Sequence, residues 1–146
     1  MDTLQKILTA FGISCILIFF QNLLKSTYMI DFLDENLITI LIALLAINLT
    51  TLSIVLTKIR ELIDKNNLPN GIFENTQKEI LFSIKEQIAL IFLSLLFFIF
   101  LKSEFGKQYI SIQLAAEVLI TSCFVYGIMI LYDTAKSIFI IIDFKK

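Results

Sequence analysis

Four long apolar runs separated by short polar ones set the pattern of this chain. Residues 7–24, 36–57, 87–101 and 118–132 carry no charged side chain, and apolar flanks lengthen the last two. About 20 mostly apolar residues wound as a helix cross the hydrocarbon layer of a bilayer. The pattern predicts an all-α, polytopic membrane protein with a single four-helix transmembrane domain over residues 1–146. Its spans are expected near 5–24, 37–57, 80–101 and 112–134. The soluble alternative, a four-helix bundle, needs a polar outer face on each helix, and these runs are apolar all round.

One long hydrophilic stretch interrupts the pattern: "TKIRELIDKNNLPNGIFENTQKEILFSIKEQ", from Thr57 to Gln87. Its charges begin at helical spacing. Arg60 with Asp64 and Glu61 with Lys65 are i,i+4 pairs, and Ile59, Leu62 and Ile63 continue an apolar stripe from Val55. Helix two is therefore expected to run on to about Asn66. "NNLPNG" then breaks it, because Pro69 cannot continue a helix and Asn-Gly suits a turn. Thr76 and Glu79 have capping-box spacing, which would start helix three at that point. Residues 58–79 thus form a helical hairpin between helices two and three that projects from the membrane. The acidic "STYMIDFLDEN" is expected to be the first loop on the opposite side. Helix four can cross as 114–132, leaving Glu117 one turn inside, or as 118–142, putting Asp133 and Lys136 inside as an i,i+3 pair. The favoured arrangement is one helix over 111–143, with an apolar extension across 135–146 that a second subunit or the membrane surface would cover.

Composition sharpens this picture. Hydrophobic residues make up 58% and charged ones 17%, against about 45–50% and 25% in soluble domains. A net charge of −1 gives no basic field, and the hairpin's cations alternate with anions, which argues against nucleic-acid binding. Lys6, Lys58, Arg60, Lys65, Lys78, Lys85, Lys136, Lys145 and Lys146 fall on one side of a four-crossing topology. Lys25, Lys102 and Lys107 fall on the other. By the positive-inside rule both termini and the hairpin are expected in the cytoplasm. "MDTLQK" lacks the form of a cleaved signal and reads as the start of a retained helix.

The chain has no histidine, the commonest metal ligand and the best neutral-pH proton carrier. Cys15 and Cys123 both fall within spans and read as small hydrophobes rather than as a disulfide or metal site. No paired-carboxylate, Ser/His/Asp or phosphate-cradling constellation is present, so neither an enzyme nor a cofactor is expected. What remains is polar residues inside the spans. Gln113, Glu117 and Thr121 share one face of helix four, and an intramembrane carboxylate faces the bundle interior, a water-filled cavity or a partner. Glu117 is read either as part of a cation-attracting ring or latch, or as an interfacial carboxylate hydrated or paired with Lys102 or Lys107. Helix three carries Ser83, Gln87 and Ser94. Helix two carries Asn48 with Thr51, and Thr50 with Ser53 and Thr57. These stripes read either as interhelical hydrogen-bonding groups or as the lining of a pore. Gly12 and Gly127 read as sites of close helix contact. Lys58, Arg60, Glu61, Asp64 and Lys65 are the candidates for contact with a cytoplasmic partner.

The four-span plan, the length, and "LITILIALLAINLTTLSIVLTKIREL" running into a charged hairpin resemble small phage-defence membrane proteins. These are the RexB-like abortive-infection proteins and KwaA, the four-helix membrane subunit of the Kiwa system. The resemblance covers the topology of the whole chain; its local feature is helix two with the basic exit Lys58 and Arg60. It implies a homo-oligomer in the bacterial inner membrane that changes ion permeability or signals to a soluble cytoplasmic defence protein. The expected function is a gated channel or membrane-perturbing effector of antiviral defence. The alternatives are a non-conducting anchor or sensor that recruits a soluble effector, and a holin-like lysis protein.

Overall fold

A computed structural model of the chain describes residues 3–66, 74–104 and 110–143. Among these described residues the regular structure is all helical: α1 (Thr3–Leu23), α2 (Tyr28–Asn66), α3 (Glu74–Lys102) and α4 (Ile110–Asp143). All four are long and apolar enough to cross a membrane.

α1 stops because the chain turns left-handed at Lys25, where φ is 52°. The amide of Ser26 donates to the Gln21 carbonyl at 3.0 Å and that of Lys25 to Asn22 at 3.1 Å. This is the pairing of a Schellman cap, with a lysine where glycine is commonest. Two residues later α2 begins. The Asp31 amide donates to the Thr27 carbonyl at 3.0 Å, and the Tyr28 amide reaches the Ser26 hydroxyl at 3.3 Å.

The acidic segment expected as an outer loop is therefore mostly helix. α2 runs for 39 residues, ~58 Å at 1.5 Å each. The reason is its apolar stripe: Leu33, Leu37 and Leu41 are fully buried and Leu44 nearly so, at helical spacing that starts well before the charge-free run. Asp31 sits in the first turn, where a carboxylate complements the helix dipole. At its other end α2 stops at Asn66. "NNLPNG" falls, after Asn66, outside the described residues. α3 opens at Glu74, so Thr76 lies within its first turn rather than ahead of it. α4 is one 34-residue helix.

α4 is the axis of the fold. It packs against α1, α2 and α3; α2 and α3 also pack on each other, while α1 leans principally on α4. Half of α4's most apolar window is buried, against 17% for α1 and 22% for α2 and α3. Helices consecutive in the chain run antiparallel, as do α1 and α4, which leaves α2 and α4 parallel. Lys102, ending α3, meets Asp34 near the start of α2 at 3.0 Å. Lys6, in α1's opening turns, meets Asp133 towards the end of α4 at 2.5 Å. Gly127 allows the close approach at the centre, since a Cβ there would stand 2.8 Å from Leu41 Cδ2 and within 3.6 Å of Leu44 and Leu90. Gly12 serves no such purpose, having nothing within 4 Å of the corresponding position.

The outer surface is greasy: Phe19, Phe92 and Ile99 are each more than 60% exposed. Apolar side chains turned outward along all four helices fit a multi-pass membrane protein, whose surroundings are as apolar as its core.

Candidate functional site

The buried polar groups begin with two amides. Asn48 Nδ2 on α2 donates to Gln87 Oε1 on α3 at 2.6 Å, and both side chains are almost fully enclosed. One bond satisfies half of each amide; Asn48 Oδ1 and Gln87 Nε2 have no partner. Such a bond between membrane helices contributes about 0.6–2 kcal/mol, so this pair fixes the register of α2 against α3.

The other polar stripes do not converge on it. Ser94 is fully buried but donates to its own helix, to the Leu90 carbonyl at 2.8 Å. Ser83 and Thr51 are half-buried. On α4 the predicted face rolls inward along the helix: Gln113 is exposed, Glu117 half-buried and Thr121 fully buried. The Thr121 hydroxyl is without a partner. Between α2, α3 and α4 the space is filled by Leu33, Leu37, Leu41, Ile120 and Ile130. Among the described residues the polar side chains form no continuous lining inside one copy of the chain. Thr50, Ser53 and Thr57 instead point outward from α2, Thr50 and Thr57 each bonded to a carbonyl of their own helix.

Glu117 takes a hydrogen bond from its own helix. Its Oε1 accepts from Gln113 Nε2 at 3.2 Å, while Lys102 is engaged by Asp34 at 3.0 Å. Lys107 lies outside the described residues. A neutral amide one turn away is enough to keep this carboxylate hydrogen-bonded at the end of a span.

A second set of contacts was not visible in the sequence. At the end of the bundle that holds the start of α1, Lys6 pairs with Asp133, with side chains 15% and 35% exposed. About two turns earlier on α4 the Tyr126 hydroxyl donates to Glu86 Oε1 at 3.0 Å. These two links tie α4 to α1 and to α3. The signal for the first was the opposite charges flanking spans at the same end, which alternation of the spans brings together; nothing in the sequence signalled the second.

On the projecting part of α2, Lys58 pairs with Glu61. Neither predicted i,i+4 pair forms; Arg60 and Asp64 instead line a cleft with Gln77 on α3. Exposed pairs of this kind gain little over hydration, so one neighbour is readily exchanged for another. Arg60, Glu61, Asp64 and Lys65 are all exposed. Cys15 faces outward and Cys123 inward, both as free thiols. No group of three His, Cys, Asp or Glu able to hold a metal exists among the described residues. Compared with protein-family models, curated proteins and solved structures, the chain matches none.

Proposed function

We propose that this chain is a homo-oligomeric protein of the bacterial inner membrane, with both termini and the α2–α3 hairpin in the cytoplasm. It acts in antiphage defence as a gated channel or membrane-perturbing effector under the control of a cytoplasmic partner. The observation that carries this reading is the outward stripe of Thr50, Ser53 and Thr57 on α2. A single copy is filled at its centre with leucine and isoleucine, so a conducting path has to lie between copies. Exposed hydroxyls on a membrane helix are the groups to line it. α2 also continues without a break into the charged extension, which connects a cytoplasmic signal mechanically to that stripe. The hairpin charges Lys58, Arg60, Glu61, Asp64 and Lys65 are the docking groups.

The test is membrane potential, followed by dye in cells expressing the chain with its natural neighbouring gene. Depolarisation on a defence trigger, abolished by replacing Thr50, Ser53 and Thr57 with leucine, is the expected result. Cells that never depolarise under any trigger refute the channel. A second reading, a non-conducting anchor that recruits a soluble effector, draws on one observation. The Thr50 and Thr57 hydroxyls already bond to their own helix and need no water or neighbour. In that case exchanging the signs of Arg60, Glu61, Asp64 and Lys65 releases the effector from the membrane, and the leucine variants change nothing.

A further inference from the structure

α1 and α3 both pack on α4 without closing on each other, and a groove of about 480 Å³ runs between them. Ile7 and Phe11 form one wall, Leu93 and Phe97 the other, and Leu119 and Ser122 lie on the floor. Along α3 it extends from Glu86 to Phe97, ~16 Å of helix. Ile7, Phe11 and Leu93 are between 43% and 50% exposed, so the groove opens on the outer apolar surface that lipid covers, and its hydrocarbon walls suit an acyl chain.

Its polar end decides what the chain belongs to. Glu86 closes the groove beside Tyr126. One carboxylate oxygen accepts from the Tyr126 hydroxyl at 3.0 Å; the other makes no hydrogen bond or ion pair with a described residue. The nearby Lys6 is held by Asp133, and among the described residues no cation pairs with Glu86, which directly precedes the charge-free run 87–101. A half-buried carboxylate beside an apolar span calls for a cation. We infer that the groove is a phospholipid site: an acyl chain lies between α1 and α3, and a primary-ammonium headgroup of the ethanolamine class sits on Glu86. The site goes beyond the proposed function and needs only that the chain resides in lipid; a chain that never conducts leaves it standing.

The test is native mass spectrometry of the full chain released from nanodiscs of equal phosphatidylethanolamine and phosphatidylglycerol. The expected result is one retained phospholipid per chain, with the ethanolamine lipid favoured about tenfold, the selectivity of one charge-assisted hydrogen bond. Glu86→Gln brings the ratio to about one while occupancy persists. Ala89→Phe, which fills the groove from an exposed position on its rim, removes the retained lipid. Should Ala89→Phe fail to fold, Glu86→Gln still decides. A wild-type ratio near one or favouring phosphatidylglycerol overturns the proposal. So does retention that Ala89→Phe leaves unchanged, or a dimer of the chain held in place of the lipid.

Discussion

α1 and α4 are both apolar enough to cross a membrane, yet they hold opposite places in the fold. α4 touches every other helix and buries half of its apolar window; α1 buries 17% and turns Leu4, Leu8, Phe19 and Phe20 outward. Their hydrophobicity does not separate them. What does is the size and polarity of the inward residues. α1 has one narrow stripe of Ala10, Ser14, Ile18 and Gln21. α4 has Gly127 and Thr121 at its centre, with Ala116, Cys123 and Thr134 also turned inward. In lipid, burying a leucine gains no transfer energy, so helices associate through small residues, close packing and hydrogen bonds. The helix with more such residues becomes the axis.

The two glycines test this most severely. Gly127→Leu drives a side chain into Leu41 and its neighbours and should destabilise the bundle by about 3 kcal/mol, measured by reversible unfolding in mixed micelles. Gly12→Leu meets nothing and should be neutral or stabilising by up to about 1 kcal/mol through helix propensity. Equal losses at both positions would remove the distinction between the helices.

Next in size is the amide pair. Gln87→Leu leaves the Asn48 amide wholly unpartnered and should cost about 1–2 kcal/mol. Adding Asn48→Leu should then cost less than its own single loss, giving a coupling of about 1 kcal/mol in a double-mutant cycle. Strict additivity would mean the pair does not hold α2 to α3.

Lys25→Gly relieves a left-handed backbone position and should stabilise the α1–α2 turn by about 1 kcal/mol. Thermal unfolding in detergent reads this directly, and a loss would show that the turn has another conformation. The smallest effect is at α1's charged end. Lys6→Met should cost about 0.5 kcal/mol, because Asp133 is a third exposed and solvent screens the pair. The readout is cleavage of α1 from the bundle by added protease. Exchanging the two charges, Lys6→Asp with Asp133→Lys, should restore protection; continued cleavage would place the attachment of α1 elsewhere.

The helices themselves were legible because charge-free runs of membrane length admit few alternatives, and because the stripe from Val55 to Ile63 carries α2 past its span. The start of α2 was not. Asp31, Asp34 and Glu35 read as an acidic loop, although Leu33 and Leu37 already continue the buried stripe, and tertiary packing of those leucines decides the matter. Within the candidate site, sequence spacing found Asn48 and Gln87 separately. It could not pair them, since i,i+4 arithmetic describes neighbours on one helix and says nothing of those across an interface. Gln113 and Glu117, by contrast, share one helix face in the sequence, and their hydrogen bond is of the i,i+4 kind that spacing does describe. The links from Lys6 to Asp133 and from Glu86 to Tyr126 depend on which helices adjoin, and four uniformly apolar spans do not encode that in their periodicity.

The measurement that bears most directly on the account is a pair of reporter insertions, one after Asn70 and one after Lys25. A fluorescent protein that matures only in the cytoplasm should glow at Asn70 and stay dark at Lys25; a phosphatase active only outside should show the opposite. The reverse pattern, or the same side at both positions, would contradict a chain that threads the membrane four times with its charged bend facing the cell interior.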